Sequence, residues 1–366
     1  MFIYKIYTLG LNFIYMFIKI FKTNNKKIFF LSRQSNEMSL DYRMLVNYIN
    51  KNYPEYKIVV MTNMIGKKLK DKIKYIRIMI VQMYHLATSK TCVIDGYNIT
   101  VSVLKHKKKL KIIQIWHSLG AIKKFGYQTL DKENGNSSKM AKVMKMHKNY
   151  DLIVTGSNAM IPYFSKAFNN PEEKFINCGL PRIDYLIKES ENNKKMILKK
   201  YKELKNKKII LYVPTFRKGK NYYIENLINA VDNDKYELII KGHPLKKIKN
   251  QKYSDDFTSL ELLSIADYVI TDYSAISIEA AVLNKPIYFY LYDLEEYNKS
   301  VGINIDLEKE MPKSTFKKAK TLIKNIENNK YSYKELEKFR SKYLDNLEGN
   351  ATEKLAKYIV GELWKK

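Results

Sequence analysis

His117 lies in the string WHSLGAIKKFGY, directly after an apolar run of strand length. A histidine there, with Gly120 and Gly126 nearby, offers a base that titrates near neutrality on a backbone a ligand can approach closely. The same residue could instead cap the helix that follows. Two later strings carry cations in the same kind of position. PTFRKGK places Arg217 and Lys218 just past the run at 208–213, and KGHP places Lys241 and His243 just past the run at 236–240. Arginine grips a phosphate through two parallel hydrogen bonds, and lysine or histidine neutralises its charge. One such cation is ordinary surface charge, whereas two consecutive strand ends that carry them point to a phosphate site.

A fourth string, TDYSAISIEAAVLNKP, sets Asp272, Ser274 and Ser277 before and at the start of an apolar helical run that contains Glu279. Serines at a helix start cap it, and the free amides with the helix dipole favour an anion there. Capping alone accounts for Ser274, but not for the phosphate-binding residue types at the neighbouring strand ends. Ser157 in GSNAM, and Arg182 with Asp184 in CGLPRIDYL, read as helix starts first and ligand groups second.

These residues need strands to carry them. Apolar runs recur at 27–32, 57–62, 92–95, 111–117 and 151–157, and again at 208–215, 236–242, 268–272 and 286–291, with helical stretches between them. Buried runs that alternate with helices imply parallel sheets. The expected fold is α/β, with two doubly wound Rossmann-like domains facing a cleft at the carboxyl ends of their strands, where open α/β sheets bind ligands. The polar segment 187–207 suggests a boundary near 187. The chain then divides into an apolar segment at 1–22, an N-terminal domain at 23–187, a second domain at 188–345, and C-terminal helices of which 346–366 could cross back to the first domain.

The 366 residues suit two domains, and 45% hydrophobic residues are enough for sizeable cores. The 66 Lys+Arg against 37 Asp+Glu give a net charge of +29, which favours a polyanionic partner. A biased composition with an ordinary lysine-rich surface gives the same excess. No RNP string, finger spacing or basic heptad occurs and the lysines are dispersed, so nucleic acid is not the expected partner. Cys92 and Cys178 lie in apolar runs without metal or redox spacing, and the five histidines form no zinc pattern. No metal site and no cofactor are expected.

Residues 1–22 are aromatic and aliphatic, but only 13 uncharged residues separate Lys5 from Lys19, short of the roughly 20 that span a bilayer. No small-residue cleavage site follows. Rings beside lysines suit a segment lying in an anionic membrane interface, and a first helix packed on the protein's own core is the alternative.

Taken in order, WHSLGAIKKFGY, GSNAM, CGLPRIDYL, YVPTFR, KGHP and TDYSAISIEAAVLNKP resemble the CDP-glycerol glycerophosphotransferase family of teichoic acid primases and polymerases, over roughly residues 90–305. The resemblance implies a glycosyltransferase-B-like architecture, with the acceptor side in the first domain and a CDP-glycerol or CDP-ribitol donor bound mainly by the second, and no nucleotide-bound metal. It also implies a lipid-linked anionic polymer as acceptor and a peripheral location at the cytoplasmic face of the membrane. Self-association is compatible with such a chain. His117 matches the family's WHG histidine, a general base, and His243 the histidine of its HP motif near the donor phosphates. Many members read WHGTPLK where this chain has Ser118, Leu119 and Gly120, a departure that bears on acceptor and polyol.

The reaction implied is attack of an acceptor hydroxyl on the polyol-bearing phosphorus, with release of CMP. His117 would take the proton. Arg217, Lys241, His243 and the helix start at Ser274 would hold the diphosphate, and Glu279 the ribose hydroxyls. A nucleotide-sugar transferase on the same fold, and a non-enzymatic polyanion-binding protein, are the rival readings.

Overall fold

Among the described residues, eleven parallel strands form two sheets. The structure is a computed structural model and describes residues 1–66, 68–215, 217, 224–242 and 252–364. It divides into two units: residues 1–118 and 125–182 with the chain from Asn350 onward, and residues 119–124 with 183–349.

The first unit contains β1 (Asn24–Ser32), β2 (Lys57–Thr62), β3 (Ser89–Ile94), β4 (Lys111–Gln114), β5 (Leu152–Thr155) and β6 (Phe175–Asn177), in the order β2-β1-β3-β4-β5-β6. Ile28 to Leu31 of β1 are buried without alternation, because helices cover both faces of a parallel sheet. The order reverses between β1 and β3, which makes their carboxyl ends a topological switch point. The runs expected to extend to 117 and 157 stop at Gln114 and Thr155, where the backbone turns.

Three helices matter most for this unit: α1 (Phe2–Ile18), α2 (Leu40–Asn52) and α3 (Leu69–Thr88). One side of α1 packs inward. Leu11 and Tyr15 are buried, the Tyr7 hydroxyl donates to Met79 Sδ of α3 at 3.4 Å, and Asn12 Nδ2 donates to the Val103 carbonyl at 3.0 Å. Its other side exposes Phe2, Ile3, Leu9 and Phe13. The last helix, Ala351–Val360, packs on α2 and ends at Gly361, whose φ of 99° suits a glycine cap. Thr91 Oγ1 in β3 donates to the Ile359 carbonyl at 2.9 Å.

The second unit holds β7 (Lys208–Val213), β8 (Tyr236–Ile240), β9 (Tyr268–Thr271), β10 (Ile287–Tyr290) and β11 (Thr315–Phe316), in the order β11-β10-β9-β7-β8. Its switch point lies between β7 and β9. A single helix, Pro181–Lys200, runs through the expected boundary near 187, and the units divide between Arg182 and Ile183. Arg182 in its first turn is tied to Asp41 of α2, by Nε at 3.0 Å and Nη2 at 2.5 Å. That buried pair is why the helix start groups with the first sheet while the rest, from Ile183, groups with the second. The segment 119–124 also joins the second unit: Lys123 bridges Ile303, and Asn304 donates its backbone N–H to the Ile122 carbonyl at 2.7 Å.

Candidate active site

Four of the five histidines can be compared directly. Burial pushes His85 and His106 down to about 4 and His147 to about 3, so all three are neutral packing residues at physiological pH. His147 is 3% exposed, and its Nδ1 meets the Tyr150 hydroxyl at 2.9 Å. His117 differs in being exposed. Its Nδ1 lies 2.9 Å from the carbonyl oxygen of Asp95, which follows β3. A carbonyl only accepts, so Nδ1 carries the proton in the neutral ring and Nε2 keeps the lone pair. In that tautomer Nε2 is the acceptor nitrogen of the ring.

The turn that presents His117 is unusual. Trp116 has φ +56°, a left-handed conformation that costs a bulky residue about 1–2 kcal/mol. Aromatic packing helps to hold it. The indole stacks on the Phe125 ring at 4.7 Å, meets Phe168 edge-on at 5.1 Å, and lies 4.1 Å from the His117 ring. An imidazolium formed at His117 would therefore sit against an aromatic ring, which favours the cation. Asp95 is 3% exposed, and burial pushes its carboxyl up to about 7. Asp95, Trp116 and Gln114 were not singled out in the sequence, although CVID ends on an acid and a glutamine interrupts the apolar run of β4.

In the second unit Arg217 and Asp272 meet at the switch point. Arg217 is 6% exposed and faces carboxylates. Its Nη1 donates to Asp272 at 2.6 Å, and its Nε and Nη2 donate to Asp293 at 2.6 and 2.9 Å. Asp272, fully buried after β9, also accepts from the Thr215 backbone N–H at 2.9 Å, the Thr215 hydroxyl at 2.5 Å and the Tyr273 N–H at 2.6 Å. Burial opposes the charge on Arg217, but the two carboxylates outweigh it and hold the guanidinium more firmly protonated. Tyr292, Tyr273 and Tyr297 surround the guanidinium, with ring centroids 5.0–5.4 Å from its carbon. The strand-end position suggested an open phosphate grip. In the structure, acids following β9 and β10 take up the Arg217 fork. Asp293 was missed, though it also follows a strand.

Ser274 and Ser277 serve their own helix, Ile276–Val282. Ser274 Oγ accepts from the Ile276 N–H at 3.4 Å, and Ser277 Oγ donates to the Ser274 carbonyl at 3.0 Å. Glu279 is buried in that helix. Lys241, following β8, donates from Nζ to the Ser254 carbonyl. Ser157 is fully buried after β5 in the first unit, where its carbonyl accepts from Thr155 Oγ1 at 3.0 Å. His243 and Lys218 lie outside the described residues. Among the described residues, no group of three or more His, Cys, Asp or Glu side chains could hold a metal ion.

Residues 13–361 match the family described as CDP-glycerol:poly(glycerophosphate) glycerophosphotransferase. The chain belongs to this family. It is therefore a phosphotransferase. Among relatives of this glycerophosphotransferase family member, the teichoic acid ribitol-phosphate primase of Bacillus spizizenii is 30% identical over 355 residues, covering 91% of this chain and 90% of the relative. The teichoic acid glycerol-phosphate primase of Bacillus subtilis is 32% identical over 293 residues, covering 76% and 75%. The solved structure of the wall teichoic acid polymerase TagF superposes with a TM-score of 0.74 at 18% identity, covering 100% of this chain and 98% of that one. That similarity shows a shared fold, and it agrees with the α/β class of paired parallel sheets expected from the sequence.

Proposed function

We propose that this glycerophosphotransferase family member moves glycerol phosphate from CDP-glycerol to the end of a lipid-linked teichoic-acid-like polymer and releases CMP. The observation that carries the reading is the exposed His117 ring, held with its Nδ1 on the Asp95 carbonyl. The acceptor hydroxyl oxygen forms a bond to the polyol-bearing phosphorus, the bond from that phosphorus to the CMP oxygen breaks, and the hydroxyl proton passes to His117 Nε2. Lys241, His243 and the Ser274–Ser277 segment are the groups we assign to the donor phosphates, and Glu279 to the ribose. Arg217 and Asp272 tie the ends of β7 and β9 together. Ribitol phosphate from CDP-ribitol is the second reading, supported by the ribitol-phosphate primase that matches nine-tenths of both chains.

The test is CMP release from purified protein supplied with a lipid-linked acceptor and, in separate reactions, CDP-glycerol, CDP-ribitol and a UDP-sugar. Faster release with CDP-glycerol than with CDP-ribitol is expected. Turnover of the UDP-sugar with neither CDP-polyol consumed would overturn the reading.

We assign α1 and α3 to an anionic membrane surface. No described helix is long and apolar enough to cross a membrane, but the outer side of α1 and Ile73, Ile76, Ile80 and Tyr84 of α3 are exposed, and the Phe21 and Tyr84 rings join them edge-on at 5.3 Å. The first acidic residue of the chain is Glu37, whereas Lys5, Lys19, Lys22 and Lys26 precede it. Apolar rings beside the lysines of the α1 segment suit an interface of anionic lipid. The full chain should co-sediment with phosphatidylglycerol vesicles, and the variant with Leu9, Phe13 and Ile76 all changed to Ser should bind at least tenfold more weakly. Equal partitioning of the two would remove the assignment.

A further inference from the structure

We propose that Gln114 is a positioning residue for the reaction: its buried amide clamps the turn at Trp116 and so aims the imidazole of His117. The proposal rests on the reading of His117 as the base.

Gln114 ends β4 and has no exposed surface. A primary amide in an otherwise apolar strand is costly unless its polar atoms are bonded, and here both ends are used. Oε1 accepts the Trp116 backbone N–H at 2.8 Å, and Nε2 donates to the Gly96 carbonyl at 3.2 Å. Gly96 follows Asp95, whose own carbonyl receives the Nδ1–H of His117 at 2.9 Å. One amide thus ties the segment that carries the base to the segment that orients it.

The left-handed Trp116 gives this clamp its purpose. A bulky residue stays at φ +56° only where its surroundings over-determine it. The backbone N–H fixed by Gln114 belongs to that residue, and the ring it carries lies 4.1 Å from the His117 ring. Without the amide, Trp116 can relax toward negative φ, which rotates the following peptide and carries His117 off the Asp95 carbonyl. The imidazole then samples both tautomers and loses its aim. Gln114 touches neither substrate nor reacting atoms in this account and acts only through the next turn of chain.

Gln114→Met removes both bonds at nearly constant volume, and Gln114→Glu keeps the acceptor for Trp116 but sets a carboxyl against the Gly96 carbonyl. With the full chain, CDP-glycerol and a lipid-linked acceptor, the Met variant should lose roughly 10- to 100-fold in kcat, the range for a small misplacement of a catalytic group, with the donor KM within about twofold. The Glu variant should fall between it and the parent. In a His117→Ala background the Gln114→Met change should cost nothing further, because the two act as one unit. Nitrogen-15 spectra of the imidazole should show Nδ1–H for His117 in the parent and mixed tautomers in Gln114→Met. An unchanged kcat, a loss that adds in full to that of His117→Ala, or an unchanged tautomer would overturn the proposal. Near-normal turnover in His117→Ala alone would instead mean that the base reading has failed, while the tautomer spectra would still report whether the clamp exists.

Discussion

His117→Ala is expected to lower turnover by roughly 10² to 10⁴, the usual contribution of a positioned general base, while CDP-glycerol affinity measured by calorimetry stays within about twofold. The split follows from what the ring touches. Its Nδ1 is used by the Asp95 carbonyl, and in the proposed reaction Nε2 takes the proton of the incoming hydroxyl. The expected donor groups come from other strings of the chain, so truncating this ring removes an interaction made as the new bond forms and leaves ground-state binding of the donor intact. A second signature separates a base from a binding group. The parent should gain activity with rising pH as the imidazole loses its proton, and the alanine variant should lack that limb. Near-normal turnover, or a donor affinity that falls as far as the rate does, would sink the assignment. The other described histidines cannot substitute, since burial already holds His85, His106 and His147 neutral and keeps them in packing.

The strands were readable because burial on both faces of a parallel sheet leaves a local trace, an unbroken apolar run such as IFFL in β1. β6 and β11, with three and two residues, are too short to leave one. Strand ends were less readable. The run at 111–117 stays apolar past Gln114, yet the backbone leaves the strand there because Trp116 turns to positive φ, a conformation that no tryptophan announces. His117 stands out in the sequence because an imidazole at a strand end is chemically distinctive. The meaning of Arg217 could not, since its carboxylate partners lie 55 and 76 residues away and only the folded sheet brings the ends of β7, β9 and the segment after β10 together. An arginine looks the same in sequence whether it will face a phosphate or an aspartate.

For that reason Arg217→Met should act on stability before it acts on binding. The guanidinium, 6% exposed, stands between Asp272, with no exposed surface, and Asp293, which the Tyr273 hydroxyl also reaches at 3.1 Å. One cation between two carboxylates leaves the pair of acids under-neutralised, and removal of Arg217 leaves Lys123, which also feels the Asp272 charge, as a remaining cation. Breaking a buried ion pair from one side typically costs roughly 3–5 kcal/mol, most of it the stranded charge. Thr215 and Tyr273 still donate to Asp272, so the lower part of that range is the better expectation. Arg217→Lys should recover only part of the loss. A single ammonium cannot reproduce the planar fork that meets both aspartates and the Thr215 carbonyl at once, nor its packing among Tyr273, Tyr292 and Tyr297. Because the chain has two units, a single melting temperature blurs the effect. Amide hydrogen exchange resolves it: protection should fall along β7 and β9 while β1 and β3 keep theirs. If Arg217 were instead a donor-phosphate ligand, Arg217→Met would leave exchange in β7 and β9 unchanged and weaken CDP-glycerol binding alone, and that result would return the residue to the donor site.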